Sequence, residues 1–427
     1  MKKRLAFLIV AVTTLLLTGC GGNENVIEFW TPLTGEDGAY MDQLVEDYND
    51  TDPEHPVNHV ITSDLYTQIY TVLQSGSGIP DLTLIHADRV PSFVNNDLLV
   101  PMDDIISQQP ELNEDNYLPE AWTAGIIDDV QYTIPLDIHG SAMYYNIDLL
   151  EQYDVMDWLD DDVVTFDEML ELEGQLEEGH YVVNDALLGW VALAQLQNVG
   201  GDIEGADGEP TVDTDEMREV IRYLREINKA GLMTPYGEDG YLMFQSGNVL
   251  FSTDGTWSRL AHEQVESLNF GVTNTYSHSA EVFHNRSSAH LFSMLRSEER
   301  TPEKEEGIGE FLEYIREHSI EWAEAGQIVA SREVVEDPEY DQFMQSFYTQ
   351  DERHEDSLYI YTYEHYPYVA EAIDNYIADI VHGEMDVDEG LHEMQRFVND
   401  RVAEGDAELE DAADAVEDFD DDVDTNE

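Results

Sequence analysis

Cysteine is almost absent: 427 residues hold one, Cys20. A lone thiol excludes an internal disulfide framework, so the folded part must hold together by its core. Basic residues are nearly as scarce. Lysine and arginine total 18 against 94 aspartates and glutamates, a net charge of −76. Beyond Cys20 the only lysines are Lys229 and Lys304, and nothing basic follows Arg401. Such a field makes nucleic acid and anionic membrane surfaces poor partners. Long apolar runs are missing beyond residues 5–17. Hydrolase and nucleotide signatures are missing too: no GxSxG, HExxH or GxxxxGKS occurs, and "AHEQVES" lacks the second histidine of a zinc motif. The 14 histidines are scattered without ligand spacing, so no metal and no cofactor is expected. Carboxylate pairs occur everywhere by chance in so acidic a chain, so a two-carboxylate glycosidase site cannot be picked out.

What is present begins with Lys2, Lys3 and Arg4, followed by the apolar and threonine run to Leu17 and then small residues. A charged start, a short apolar centre and a small-residue exit describe a secretory signal, too short to span a bilayer. Leu17-Thr18-Gly19-Cys20 resembles the lipobox of bacterial lipoproteins. The resemblance implies a signal peptide over 1–19, cleavage before Cys20, and lipid on its sulfur and new amino terminus. Several acyl chains anchor more firmly than the single chain that binds membranes reversibly. Loss of the leader would leave 15 basic residues against 94 acidic ones, a net charge of −79.

About 400 residues then remain, beyond the size at which single cores stop growing, so two domains are expected. Hydrophobic content of 42% argues for folding despite the charge. Acidic residues run along every helical face, and self-repulsion at low salt should be severe. The expectation is a protein working in concentrated salt; an acidic surface at ordinary salt or in alkaline medium is the alternative.

Along the chain, "NVIEFW", "PVNHVITS" and "IPDLTLIHA" read as strands separated by two helices, the second stopping at Gly76. Strand, helix, strand, helix, strand implies a parallel sheet covered by helices. "VQYTIPLDIHGSAMYYNIDLL" reads as two strands with a polar break at Asp137–Gly140. Residues 165–178 read as an acidic helix capped by Thr165, and 216–231 as a well-patterned helix ending at Gly231. A strand runs from Asn248 towards Trp257, another spans Leu291–Leu295, and a helix covers 303–317. Residues 366–402 form two helices, and the acidic end reads as a disordered tail over 403–427.

Five stretches in register, "IEFWTPLTGEDGAYMDQLVEDYN", "GIPDLTLIHADRVPSFVNNDLLVPMDD", "YTIPLDIHGSAMYYNIDLL", "VGGDIEGADGEPTVDTDE" and "FQSGNVLFSTDGTW", resemble the extracellular solute-binding proteins of ABC sugar importers. That family includes maltose-binding protein, and the resemblance covers roughly residues 25 to 400. It implies an α/β fold of the two-lobed periplasmic-binding type (type II, maltose-binding-like), with a ligand cleft between lobes. By resemblance, 23–137 plus 290–328 form lobe 1 and 142–285 plus 332–400 form lobe 2. It further implies a monomer outside the cytoplasm, lipid-anchored, that captures carbohydrate without turnover and docks on the membrane subunits of an ABC permease. The acidity, the scarcity of lysine and the acidic tail depart from the family pattern.

A sugar site needs aromatic faces for ring C–H groups beside planar polar groups for hydroxyls. Trp30 lies at the carboxyl end of a strand, where ligands gather in parallel sheets, with Glu36 in the loop beyond. The resemblance marks Asp88 and Arg89 as a sugar-contacting pair and His139 as a cleft polar residue. Asp137 is positioned to orient His139 or to bind a hydroxyl itself. Trp190 and Trp257 fall where stacking aromatics recur in the family. Asp254 is the expected polar neighbour of Trp257, and Tyr363, in the aromatic stretch 359–368, a cleft wall. Two alternatives remain: a secreted polysaccharide-degrading enzyme, and the same fold holding a glycerol phosphate-type ligand. The second would want several basic groups, of which only Arg89 and Arg259 are near at hand.

Overall fold

The computed structural model describes residues 25–35, 37–206 and 208–424. The expected leader, Cys20 and Glu36 lie outside them.

The chain opens as its patterning predicts. The strand Ile27–Thr31 pairs in parallel with Val57–Ile61 on one side and Leu82–His86 on the other. Parallel neighbours require crossovers, and helices supply them. The first, Asp37–Asp50, buries Met41, Leu44, Val45 and Tyr48, the i, i+3, i+4 stripe read from the sequence. The second, Leu65–Ser75, stops where Gly76 turns left-handed at φ 62°, a conformation that costs glycine nothing.

The middle of the sheet corrects one expectation. Thr133–Asn146 is a single strand of 14 residues, with no break at Asp137–Gly140. Its partners change instead. Thr133–Gly140 pairs antiparallel with Asn285–Ser293, whose other edge meets Leu82–His86. From Ser141 onward it pairs with Val249–Gly255 on one side and Phe270–Ser277 on the other. The polar residues do not interrupt the strand because their demands are met in place. Asp137, fully buried, accepts from the Trp322 indole N–H at 2.7 Å and from the His290 backbone N–H at 3.1 Å. Gly140 allows the neighbouring strand to approach, since a Cβ there would run into Ser287 Oγ.

Two hydrophobic cores lie along this sheet. The first gathers Phe29, Leu44, Leu84, Phe292, Phe311 and Trp322, and the second Trp158, Phe251, Leu224, Ile373, Ile377 and Leu391. Val334, Tyr340, Tyr348 and Leu358 pack in the first core. The helix Asp215–Lys229 shows how sequence sets packing. Thr214 Oγ1 accepts from the Met217 N–H at 3.1 Å, capping its start, and Met217, Val220, Ile221, Leu224 and Ile227 face the second core. The acidic helix after Thr165 has its full capping box but ends at Glu171, short of the expected 178. At the C-terminus the helix Tyr366–His382 is followed by Val387–Asp424. The backbone is thus helical through most of the stretch read as a disordered tail. No helix among the described residues is long and apolar enough to cross a membrane.

Candidate functional site

Where the central strand changes partners, a cavity of about 500 Å³ opens. One wall is the loop Pro32–Gly35 with Asp37, His86 and Asp88; the other carries Trp190, Tyr241, Trp257, Ser258, Leu260 and Ala261. The floor is made by His139 of the central strand and by Arg286, Ser288 and His290 of the strand beside it.

The aromatic wall is held by its neighbours. Trp190 belongs to the helix Leu188–Asn198, whose apolar residues anchor in the second core. Trp257 follows the strand Val249–Gly255, is 37% exposed, and meets Trp190 edge-to-face. The Arg286 guanidinium lies over the Trp190 ring, 3.5 Å from its centroid. Its Nε donates to the Tyr366 hydroxyl at 2.6 Å, and Nη2 meets the same oxygen. Nη1 is buried with no partner among the described residues, as is Ser288 Oγ. Both belong to residues lining the cavity, and an unmade buried hydrogen bond costs about 1–3 kcal/mol, so a ligand oxygen there is favoured.

Beneath lies a histidine cluster. His139 and His290 stack with centroids 4.1 Å apart, and His86 is 5.0 Å from His290. Asp137 orients two of them: its carboxylate lies 3.3 Å from His139 Nδ1 and 2.9 Å from His290 Nδ1. Tyr66 Oη holds His86 Nδ1 at 2.6 Å. Burial pulls His86 well below the usual imidazole range, aided by His290 and His139, and burial with His290 beside it brings His139 to about 4. Burial disfavours charge on His290 as well, but the Asp137 carboxylate outweighs it and holds that ring above its ordinary value.

The structure brings together Asp88, His139, Trp190 and Trp257 of the expected residues. Glu36 lies outside the described residues, and the other described ones lie off the cavity lining. Trp30 is half-buried against the first core. Arg89 sits over the Tyr66 ring, 4.4 Å from its centroid, and is 3.5 Å from Asp88 Oδ2. Asp137 is beneath the floor, where it orients histidines. Asp254 is buried, accepting from Ser258 Oγ at 2.6 Å and the Gly255 N–H at 2.7 Å. The Tyr363 hydroxyl donates to the Gly208 carbonyl at 2.8 Å. Arg286, Ser288, His86 and His290 were missed. The stretch "NRSSAH" has no apolar alternation to mark it as a strand, and only the register across three strands brings the histidines together.

A cleft between two α/β cores, lined by aromatics and unpartnered donors, defines a ligand-binding protein of the two-lobed type. The family model of bacterial extracellular solute-binding proteins matches residues 43–340, and the chain belongs to that family. An arabinooligosaccharide-binding protein of Halalkalibacterium halodurans is 27% identical over 244 residues, 54% of this chain and 53% of that protein. The chain thus matches about half the length of that curated relative. Among solved structures, the sugar-binding protein MalE of Xanthomonas citri has a TM-score of 0.74 at 14% identity, covering 89% of this chain and 99% of that one. The cyclic alpha-maltosyl-1,6-maltose binding protein of Arthrobacter globiformis has a TM-score of 0.72 at 18% identity, covering 90% and 99%. At such identities the likeness is one of fold.

Proposed function

We propose that this chain captures a carbohydrate in the cleft, without turnover, and presents it to the membrane subunits of an ABC importer. The observation that carries the reading is the pairing of an exposed aromatic corner, Trp190 and Trp257, with the unpartnered Arg286 Nη1 and Ser288 Oγ. Sugar rings offer C–H faces to the first and hydroxyls to the second. The cavity is of the size usual for small-molecule sites. Relatives named for arabino-oligosaccharide and maltose-type sugars make those the first probes. Delivery follows from population shift: a ligand touching both walls favours the closed arrangement, which the permease would recognise.

The sequence adds the setting. Cys20 would carry lipid and tether the chain outside the membrane, and the surface charge suits concentrated salt. The chain would act as a monomer.

A thermal-shift screen of the full chain in molar KCl, with arabino- and malto-oligosaccharides, glycerol phosphates and short peptides, tests the reading. A sugar that raises the melting temperature and is recovered intact supports it. Cleavage of the sugar would make the protein a hydrolase, and a shift with phosphates alone would overturn the substrate class.

A further inference from the structure

We propose that His86, His139 and His290 form a binding site for a divalent transition metal ion, of which Zn²⁺ is the type, in the floor of the cleft. One ring nitrogen from each lies within 4.8 Å of the other two. Three adjacent strands supply them: His290 is in register with His86 on one side and with Asp137 on the other, and His139 is two residues along from Asp137. A rigid sheet therefore fixes their relative places.

The surroundings resemble a ligand set. Imidazole suits zinc, copper and nickel, and bound histidines characteristically give their other nitrogen to a carboxylate or another oxygen, which sets tautomer and ring orientation. Here Nδ1 of each ring is engaged by an oxygen: His139 and His290 by Asp137, His86 by Tyr66. Nε2 of each makes no hydrogen bond to the described residues. Bonds of about 2.0–2.1 Å to a tetrahedral ion would need the nitrogens roughly 3.4 Å apart, so the widest pair closes by up to about 1.4 Å. Charge permits it, since Asp137 beneath opposes Arg286 and Asp88 on the wall opposes Arg89. Three protein ligands leave a coordination position open to the cavity, where a ligand oxygen would complete it. The inference does not rest on the carbohydrate reading.

Calorimetric titration of Zn²⁺ into the full chain, in molar KCl with excess Mg²⁺ to occupy surface carboxylates, tests the site. One Zn²⁺ per chain is expected, with Co²⁺ giving the visible absorption of a low-coordinate, nitrogen-ligated ion. His139→Ala and His290→Ala should abolish both, and Tyr66→Phe, which frees His86 Nδ1 and the His86 backbone N–H, should weaken Zn²⁺ about 10-fold. Should an alanine variant fail to fold, footprinting of the wild-type histidines with diethyl pyrocarbonate decides: Zn²⁺ must protect His86, His139 and His290 and leave His180 reactive. Zn²⁺ uptake equal in all folded variants, a Co²⁺ spectrum no different from the aqua ion, or no protection of the three histidines would overturn the proposal.

Discussion

Trp190 and Trp257 meet with ring centroids 5.4 Å apart and planes at 78°, one ring from a helix and the other from the turn after a strand. Two rings at nearly a right angle form a corner, and His139 extends it, 6.1 Å from Trp257. Trp257 has few other duties, being partly exposed and beyond the end of its strand. Trp257→Ala is therefore expected to leave folding intact and to weaken sugar binding at least about 10-fold, the loss typical of an aromatic anchor. Titration of the folded variant checks this; unchanged affinity would remove Trp257 from the site.

Gly140 lies where the central strand changes partners. A Cβ on Gly140 would collide with Ser287 Oγ and crowd the Arg286 carbonyl at 3.3 Å. Gly140→Ala should cost about 1–3 kcal/mol by overpacking and, because Arg286 must shift, weaken the ligand as well. Denaturant unfolding and titration read the two effects separately.

A third follows from His262. Its ring is buried among Tyr144, Tyr241, Phe244 and Phe270, with Asp254 Oδ2 3.9 Å away. Burial lowers it from 6.5 to about 4. The unfolded chain takes up a proton as pH falls through 6.5, while the folded chain takes it up only near 4. Stability from this residue is whole above 6.5 and is lost on acidification towards 4, by at most about 3 kcal/mol. His262→Asn should flatten that part of the pH–stability curve relative to the wild type, measured by thermal unfolding between pH 7 and 4.

Salt supplies a fourth. With 94 acidic and 18 basic residues, repulsion reaches across about 10 Å at 0.1 M salt but only about 3 Å at 1 M. The melting temperature should rise steeply from dilute to molar KCl. A flat response would contradict the reading of a protein suited to concentrated salt.

Most of the scaffold was legible in the sequence because apolar periodicity reports burial. The helices Asp37–Asp50 and Asp215–Lys229 show their buried stripes directly. The site was legible only in part. Trp190 and Trp257 could be placed by resemblance, and they line the cleft. Polar residues in strands gave no such signal. Asp137 looked like a break because a buried carboxylate in mid-strand is costly, and its partners, His290 and Trp322, are 153 and 185 residues away. The histidines at 86, 139 and 290 likewise have no local spacing; strand register alone unites them.

The central claim is binding of an intact sugar. Isothermal titration of the full chain in molar KCl with arabino- and malto-oligosaccharides, followed by chromatography of the recovered sugar, tests it most directly. One sugar bound per chain and recovered uncut is the predicted result. No heat with any sugar, or shortened products, would contradict it.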